Sequence, residues 1–305
     1  MYEYSTIQWL FFFYFYCFFG WCFESTYVSI KSKRFVNRGF MRGPFLPLYG
    51  SGAIMMLLVS KPFQEHIFLV YIAGCIGATV LEYVTGVVME ALFKVRYWDY
   101  SNQPFNFQGH ICLGSSLAWG FLTIAMTELI HKPVERLVLS VPSGILTPVT
   151  LVLTALICAD FALAFKAAMD LRDVLIKMEK AKEELMHIQK RLDVMIALTN
   201  EDIESRVEDL KESVEDLKEN IENKLENLKK QSQLKPSAYL ESVKEELLEL
   251  RIKYRRNVED RERLSGLKDF FQRDLIRANP TMSSERFKEA LEELKQRAGE
   301  KKKKK

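Results

Sequence analysis

Along the first 165 positions apolar residues come in long, nearly unbroken runs, and beyond them they recur at alternating spacings of three and four. A bilayer core of about 30 Å needs roughly 20 apolar residues per helix. Five runs meet that need, some only by including polar residues: 7–30, 45–60, 66–93, 111–130 and 145–165. The second is short and opens "GPFLPLYGSG", so Pro44, Pro47, Gly50 and Gly52 predict a broken or short helix. Irregular backbone at membrane depth is tolerated where protein or a wet cavity covers it. The first run does not read as a signal peptide, because "MYEYSTIQ" lacks Lys and Arg and Glu24 stands where small residues would be cleaved.

The second half is helical by pattern. Leu171, Leu175, Met178, Leu185, Ile188, Leu192 and Met195 form one stripe. After Asn200, a candidate N-cap, the repeat resumes at Val207, Leu210, Val214, Leu217, Ile221 and Leu228, with Lys224 in the missing seam position. Pro236 breaks the pattern, and a third segment carries Leu240, Val243, Leu247, Leu250, Tyr254, Val258, Leu264, Leu267 and Phe271. Glu and Lys fill the flanks, as a coiled-coil seam requires. Helices on either side of Pro236 either fold back as an antiparallel hairpin or pair between chains; the hairpin is local and needs no partner. The expected fold is therefore all-α: a polytopic helical membrane domain with about five transmembrane helices, followed by a long cytoplasmic helical coiled-coil region. The expected divisions are 1–168 for the membrane domain, 169–235 and 236–280 for the long helices, and 281–305 for a short helix (284–298) and polybasic tail.

Composition alters this picture little. The values of 48% hydrophobic and 27% charged, with a net charge of +3, average two unlike halves. Charge distribution says more. The N-terminus carries no Lys or Arg before the first run, whereas the first loop has Lys31, Lys33, Arg34, Arg38 and Arg42 and the second only Lys61. The third has Lys94 and Arg96, and basic residues multiply from Lys166 onward. The positive-inside rule then places the N-terminus outside and loops one and three, with the C-terminal half, in the cytoplasm. Lys132 and Arg136 in the fourth loop argue weakly the other way. The terminal lysines suit either anionic lipid, at about 1 kcal/mol each, or simple solubility. Balanced charge elsewhere argues against a nucleic-acid partner.

Carboxylates inside apolar runs are costly and are functional by default. Glu24, Glu82, Glu90 and Asp160 all fall toward one end of their runs, near loops carrying Arg38, Arg42 and Arg96. Glu82, Gly86 and Glu90, four residues apart, share a helical face. Two readings stand: the acids line a hydrated pocket, or they cross-link helices. Arg38, Arg42 or water against the "GPFLPLYG" backbone are the expected partners of Glu82. In the third loop, Tyr97, Trp98 and Tyr100 suit the headgroup region. Asp99, Ser101, Asn102, Asn106 and His110 supply polar groups there, and Pro104 and Gly109 shape the turn.

Other chemistry finds little support. Cys17, Cys22, Cys75, Cys112 and Cys158 lie in or beside apolar runs without a CxxC pair, and the four histidines are scattered. There is no GxxxxGK[ST] loop, so any ATPase is another chain. No nucleophile elbow or HExxH occurs. No cofactor or metal is expected, and no enzymatic activity.

The blocks "FGWCFESTY", "VNRGFMRGPFLPLYGSGA", "LEYVTGVVMEALF", "YWDYSNQPFNFQGHICL" and "LAWG" follow in that order. Together, over about residues 10–165, they resemble the bacterial multi-pass family named putative ABC-transporter permeases, type IV (the CmpB type). Its recurring positions correspond to Glu24, Asn37, Arg38, Gly39, Gly43, Pro44, Pro47, Tyr49, Gly50, Glu82, Glu90, Trp98, Asp99, Tyr100, Ser101, Asn106 and Gly109; Asn102 and His110 stand where variation is expected. The resemblance implies an integral membrane permease without a defined substrate. With it, the candidate pocket residues are Glu24, Arg38, Arg42, Glu82, Glu90, Trp98, Asp99, Asn106 and Asp160. Three functions remain open. One is a permease or transport-associated subunit with an acid-lined cytoplasmic pocket, the second a membrane-anchored coiled-coil scaffold or sensor. The third is a membrane enzyme using Glu24, Glu82, Asp99 or His110 as acid or base. The expected partners are the lipid bilayer, a separate ATPase subunit and a second copy joined through the coiled coil.

Overall fold

The computed structural model describes residues 4–199, 219–224, 226, 238–265 and 270–300. They form two compact units, Met1–Arg172 with Lys268–Lys305 and Asp173–Leu267. The seam positions Val207, Leu210, Val214, Leu217, Leu228 and Leu267, with Asn200 and Pro236, lie outside the described residues.

In the first unit, helix α1 (Thr6–Ser32) starts at Ser5, whose hydroxyl accepts from the Gln8 N–H while Gln8 bonds back to the Ser5 N–H. This reciprocal cap satisfies two otherwise orphaned donors. The helix ends where Lys33 turns left-handed. Helix α2 (Pro47–Ser60) opens with a proline, which lacks the donor the first turn would leave unused. At 14 residues it rises only about 21 Å, short of a bilayer core. Helix α3 (Ile67–Phe93) follows, and a loop containing the two-residue strands β1 (Asn106–Phe107) and β2 (Ile111–Cys112) leads to α4 (Leu113–Ala125). A π-helical turn, Met126–Ile130, joins α4 to α5 (His131–Ser140), and α6 (Ser143–Thr199) runs from the first unit into the second.

Among the described residues, four helical stretches are long and apolar enough to cross a membrane: Thr6–Ser32, Ile67–Phe93, Leu113–Ser140 and Ser143–Val194. Four, not five, meet that measure, because the second run yields only the short α2. The fourth run is longer than its apolar core suggested: the expected loop with Lys132 and Arg136 is helical, and Lys132 pairs with Glu128 one turn back. Only 17–28% of each apolar window is buried, which leaves most of each surface for lipid. Helix α3 shows the division. Phe68, Ile72, Ile76, Val80, Val84, Val88 and Leu92, each four apart, are exposed, while Val70, Gly74, Ala78, Glu82 and Gly86 are buried.

Small residues bring the helices together, as in other membrane bundles. Gly50 of α2 faces Cys17 and Phe13 of α1, and Gly74 of α3 faces Thr123 of α4. Phe12, Tyr16, Met56, Leu57 and Val138 fill one core, and Tyr14, Met41 and Ile157 a smaller one.

Helices α8 (Phe270–Ala278) and α9 (Lys288–Glu300) also belong to this first unit. The expected final helix at 284 begins at Lys288, and the Ser284 hydroxyl caps the Phe287 N–H ahead of it. In the second unit, α7 (Ala238–Ser265) runs antiparallel to α6 within the one chain. Glu184 accepts from Asn257 at 2.8 Å, and Arg191 pairs with Glu246. Residues 219–224 join both, through Lys224 to Asp193 and Tyr254 to Glu222. Leu175, Met178, Leu185, Ile188, Leu192, Ile221, Leu250 and Tyr254 are buried there.

Candidate functional site

Glu24, Glu82, Glu90 and Asp160 each meet a donor from the loop after α1 or the loop after α3. Glu24 on α1 lies 3.5 Å from the Arg38 Nε and accepts from the Tyr49 hydroxyl at 2.7 Å. Asp160 on α6 accepts from the Gly43 N–H at 2.8 Å. Glu90, near the end of α3, meets the Arg96 Nε at 2.9 Å and the His110 Nε2 at 3.1 Å.

Glu82 is the most enclosed, at 5% exposed. Its Oε1 accepts from the Tyr100 hydroxyl at 3.1 Å, and its Oε2 from the Trp119 indole at 2.9 Å and the Ser115 hydroxyl at 3.4 Å. The expected pairing with Arg38 or Arg42 does not occur. Arg38 goes to Glu24 and Arg42 to Asp274 of α8, 3.6 Å away. Among the described residues Glu82 pairs with no cation; neutral donors from the third loop and α4 surround it. Helix α4 places two of them well, since Ser115 and Trp119 are four apart and share a face. A phenol thus holds each of two carboxylates, Tyr49 on Glu24 and Tyr100 on Glu82.

In the third loop Tyr97 is buried, and Trp98 donates to the His110 carbonyl at 2.9 Å. The Tyr100 phenol has its pKa pushed up by burial and by the Glu82 charge, and remains a donor. Asn106 donates to the Gln103 and Ser101 carbonyls and accepts from the Gly109 N–H. Gly109 has φ +70°, and a Cβ there would meet the Ser101 hydroxyl at 2.5 Å and Arg96 at 2.9 Å. Only glycine suits that combination. Burial pushes the Asp99 carboxyl up, but hydrogen bonds from Ser101 and Ser283 and the Arg96 charge outweigh it, leaving it below the usual range.

Around this loop opens a polar cavity of about 470 Å³, lined by Glu90, Arg96, Asn106, Gln108, His110 and Glu285 among others. Arg96 is its hub, reaching Glu90, Asp99 at 3.9 Å and Glu285 at 3.0 Å. The cavity thus unites Glu90 and Asn106 of the expected set, with Asp99 beside them on Arg96. Glu24, Arg38, Arg42 and Asp160 gather instead at the loop after α1. No group of three metal-ligating side chains occurs among the described residues.

Sequence reasoning missed Ser115, Trp119 and the C-terminal contributors. Arg38 donates to Asn279 at 2.5 Å, to Thr281 at 3.3 Å and to the Ala278 carbonyl at 3.4 Å. Arg96 and Ser283 exchange backbone hydrogen bonds of 2.8 and 2.9 Å, and the Ser283 hydroxyl donates to Asp99. Nothing local marks Asn279 or Ser283, which lie 241 and 184 positions from Arg38 and Asp99. Ser115 and Trp119 did carry a signal, being four apart on the helix facing α3.

No curated protein and no solved structure matches the chain. The family model described as "Putative ABC-transporter type IV" matches residues 11–165, just over half of the chain and the stretch that holds Glu24, Glu82, Glu90 and Asp160; the chain belongs to that family.

Proposed function

We propose that this chain is the membrane-spanning subunit of a transporter, with its N-terminus outside, its charged helices in the cytoplasm, and its polar cavity open to that side. It works with a separate ATPase chain and is not itself an enzyme. The observation that carries this reading is Glu82: a carboxylate deep in an apolar helix, held by three neutral donors, one of them from the loop that borders the open cavity. Such a group keeps its polarity at a cost of a few kcal/mol. The basic loops at the same end as the acids support the orientation, and family membership supports the ATPase partner.

A second reading, a membrane-anchored scaffold, is favoured by one feature: Glu24, Glu82, Glu90 and Asp160 each fasten a loop to a helix. Substitution at Glu82 separates the two. Gln keeps an acceptor for Trp119 and Ser115, so a purely structural role survives Glu82→Gln with modest loss. Leu strands three donors, each costing about 1–3 kcal/mol, and lowers abundance under either reading. The test is complementation of a deletion strain with membrane abundance measured in parallel. Transport predicts that Glu82→Gln reaches normal abundance and fails to complement. Full complementation by that variant overturns the reading.

A further inference from the structure

A second cavity, of about 400 Å³, lies apart from the Glu90 cavity, between the loop after α1, helix α6 and helix α8. Its polar lining carries three guanidinium-bearing residues, Arg34, Arg42 and Arg277, against one carboxylate, Asp274. Its apolar lining includes Phe35, Phe40, Phe271 and, from α6, Ala164 and Ala167. The two alanines flank Lys166, where the apolar run of α6 gives way to charged sequence. Arg34 likewise follows directly on the end of α1. The cavity therefore sits level with one edge of the hydrocarbon layer. Phe35 and Ile30, beside Arg34, are 77% and 74% exposed, which is unfavourable in water and suited to acyl chains.

Arg42 is already oriented, lying over the Phe271 ring at 4.3 Å and 3.6 Å from Asp274. Arg277 is held by the Ala298 carbonyl. Arginine forks match phosphate oxygens, which take two parallel N–H bonds. A net positive cavity with an aromatic and aliphatic rim, at the edge of the apolar layer, has the chemistry of a headgroup site.

We propose that this cavity binds the phosphate of an anionic phospholipid, with Arg34 and Arg42 on the phosphate and Phe35 along the acyl chain. Because α8 forms one wall, the bound lipid joins the C-terminal segment to the membrane domain. The proposal is independent of what passes through the Glu90 cavity.

The test uses the full chain purified in mild detergent. Phosphatidylglycerol and phosphatidylcholine are titrated in, with thermal unfolding and native mass spectrometry as readouts. Phosphatidylglycerol is expected to raise the melting temperature and remain bound, and phosphatidylcholine to do neither. Arg34→Gln is expected to weaken phosphatidylglycerol binding roughly tenfold, the worth of one charged hydrogen bond. Arg34→Lys retains part of it, and Lys31→Gln, at the same edge but outside the cavity, leaves it unchanged. Melting without lipid reports whether each variant is folded. Equal effects of the two lipids, unchanged binding in folded Arg34→Gln, or a matching shift with inorganic phosphate alone would each overturn the assignment.

Discussion

Arg38 illustrates how single residues hold this unit together. Its side chain, 11% exposed, touches Glu24 on α1, the Tyr97 carbonyl in the third loop and Asn279 beyond α8. Asn279, 1% exposed, donates in turn to the Gly39 and Leu275 carbonyls. Asn279→Ala leaves those acceptors and Arg38 short of a partner, at about 1–3 kcal/mol. The expected result is faster proteolysis and hydrogen exchange over 270–300 with the membrane helices unchanged; equal protection would show that the contact contributes nothing. Asp99 gives a pH dependence. Its folded pKa is depressed, so its contribution is complete above the unfolded value, about 3.8, and is lost as pH falls through the lower folded value. The difference in melting temperature between wild type and Asp99→Asn should be flat from pH 7 to about pH 5 and shrink below about pH 4. The acids themselves were legible, because a carboxylate in an apolar run needs a reason. Their partners were not, since sequence shows which charges share a depth but not which loop folds over which helix.

At the scale of elements, close approach is set by glycines. A Cβ on Gly74 would lie 2.2 Å from the Thr123 hydroxyl oxygen, whereas one on Gly52 meets nothing within 4 Å. Gly74→Ala should cost about 1–3 kcal/mol by overpacking, and Gly52→Ala should be neutral or slightly stabilising; thermal unfolding in detergent checks both. The same logic explains α2. Pro47 and the two glycines predicted a broken or short element. The helix is in fact regular but short, because Pro47 starts it and the Leu46 N–H bonds back to the Cys17 carbonyl of α1. In α3 the two rows four residues apart, one exposed and apolar and one small or acidic, were readable at Glu82, Gly86 and Glu90.

For the whole molecule, orientation is the test with most consequence. In a cysteine-free background, Glu183→Cys, at an exposed position of the second unit, should resist an impermeant thiol reagent in intact cells and react after lysis. Labelling of intact cells would reverse the proposed topology and with it the side on which the Glu90 cavity opens. The second unit offers a separate check. Leu192 is fully buried there, and Leu192→Ala should cost about 2–5 kcal/mol. Loss of helical signal at lower temperature in a fragment from residue 173 to 267 measures it.

Sequence alone determined that the first half of this chain belongs in a membrane and the second half in long charged helices. Hydrophobic run length and the three-four spacing are local properties, fixed by bilayer thickness and helical pitch. The family blocks and the four acids were equally local. Tertiary structure decided what the acids touch, because Glu82 found Tyr100, Ser115 and Trp119 only once α4 and the third loop packed on α3. It also decided that residues 270–300 return to the membrane domain through Arg38, Arg96 and Asp99. Hydrogen bonds between positions some 200 apart leave no periodic trace in either partner, so that return is visible only when the chain is folded.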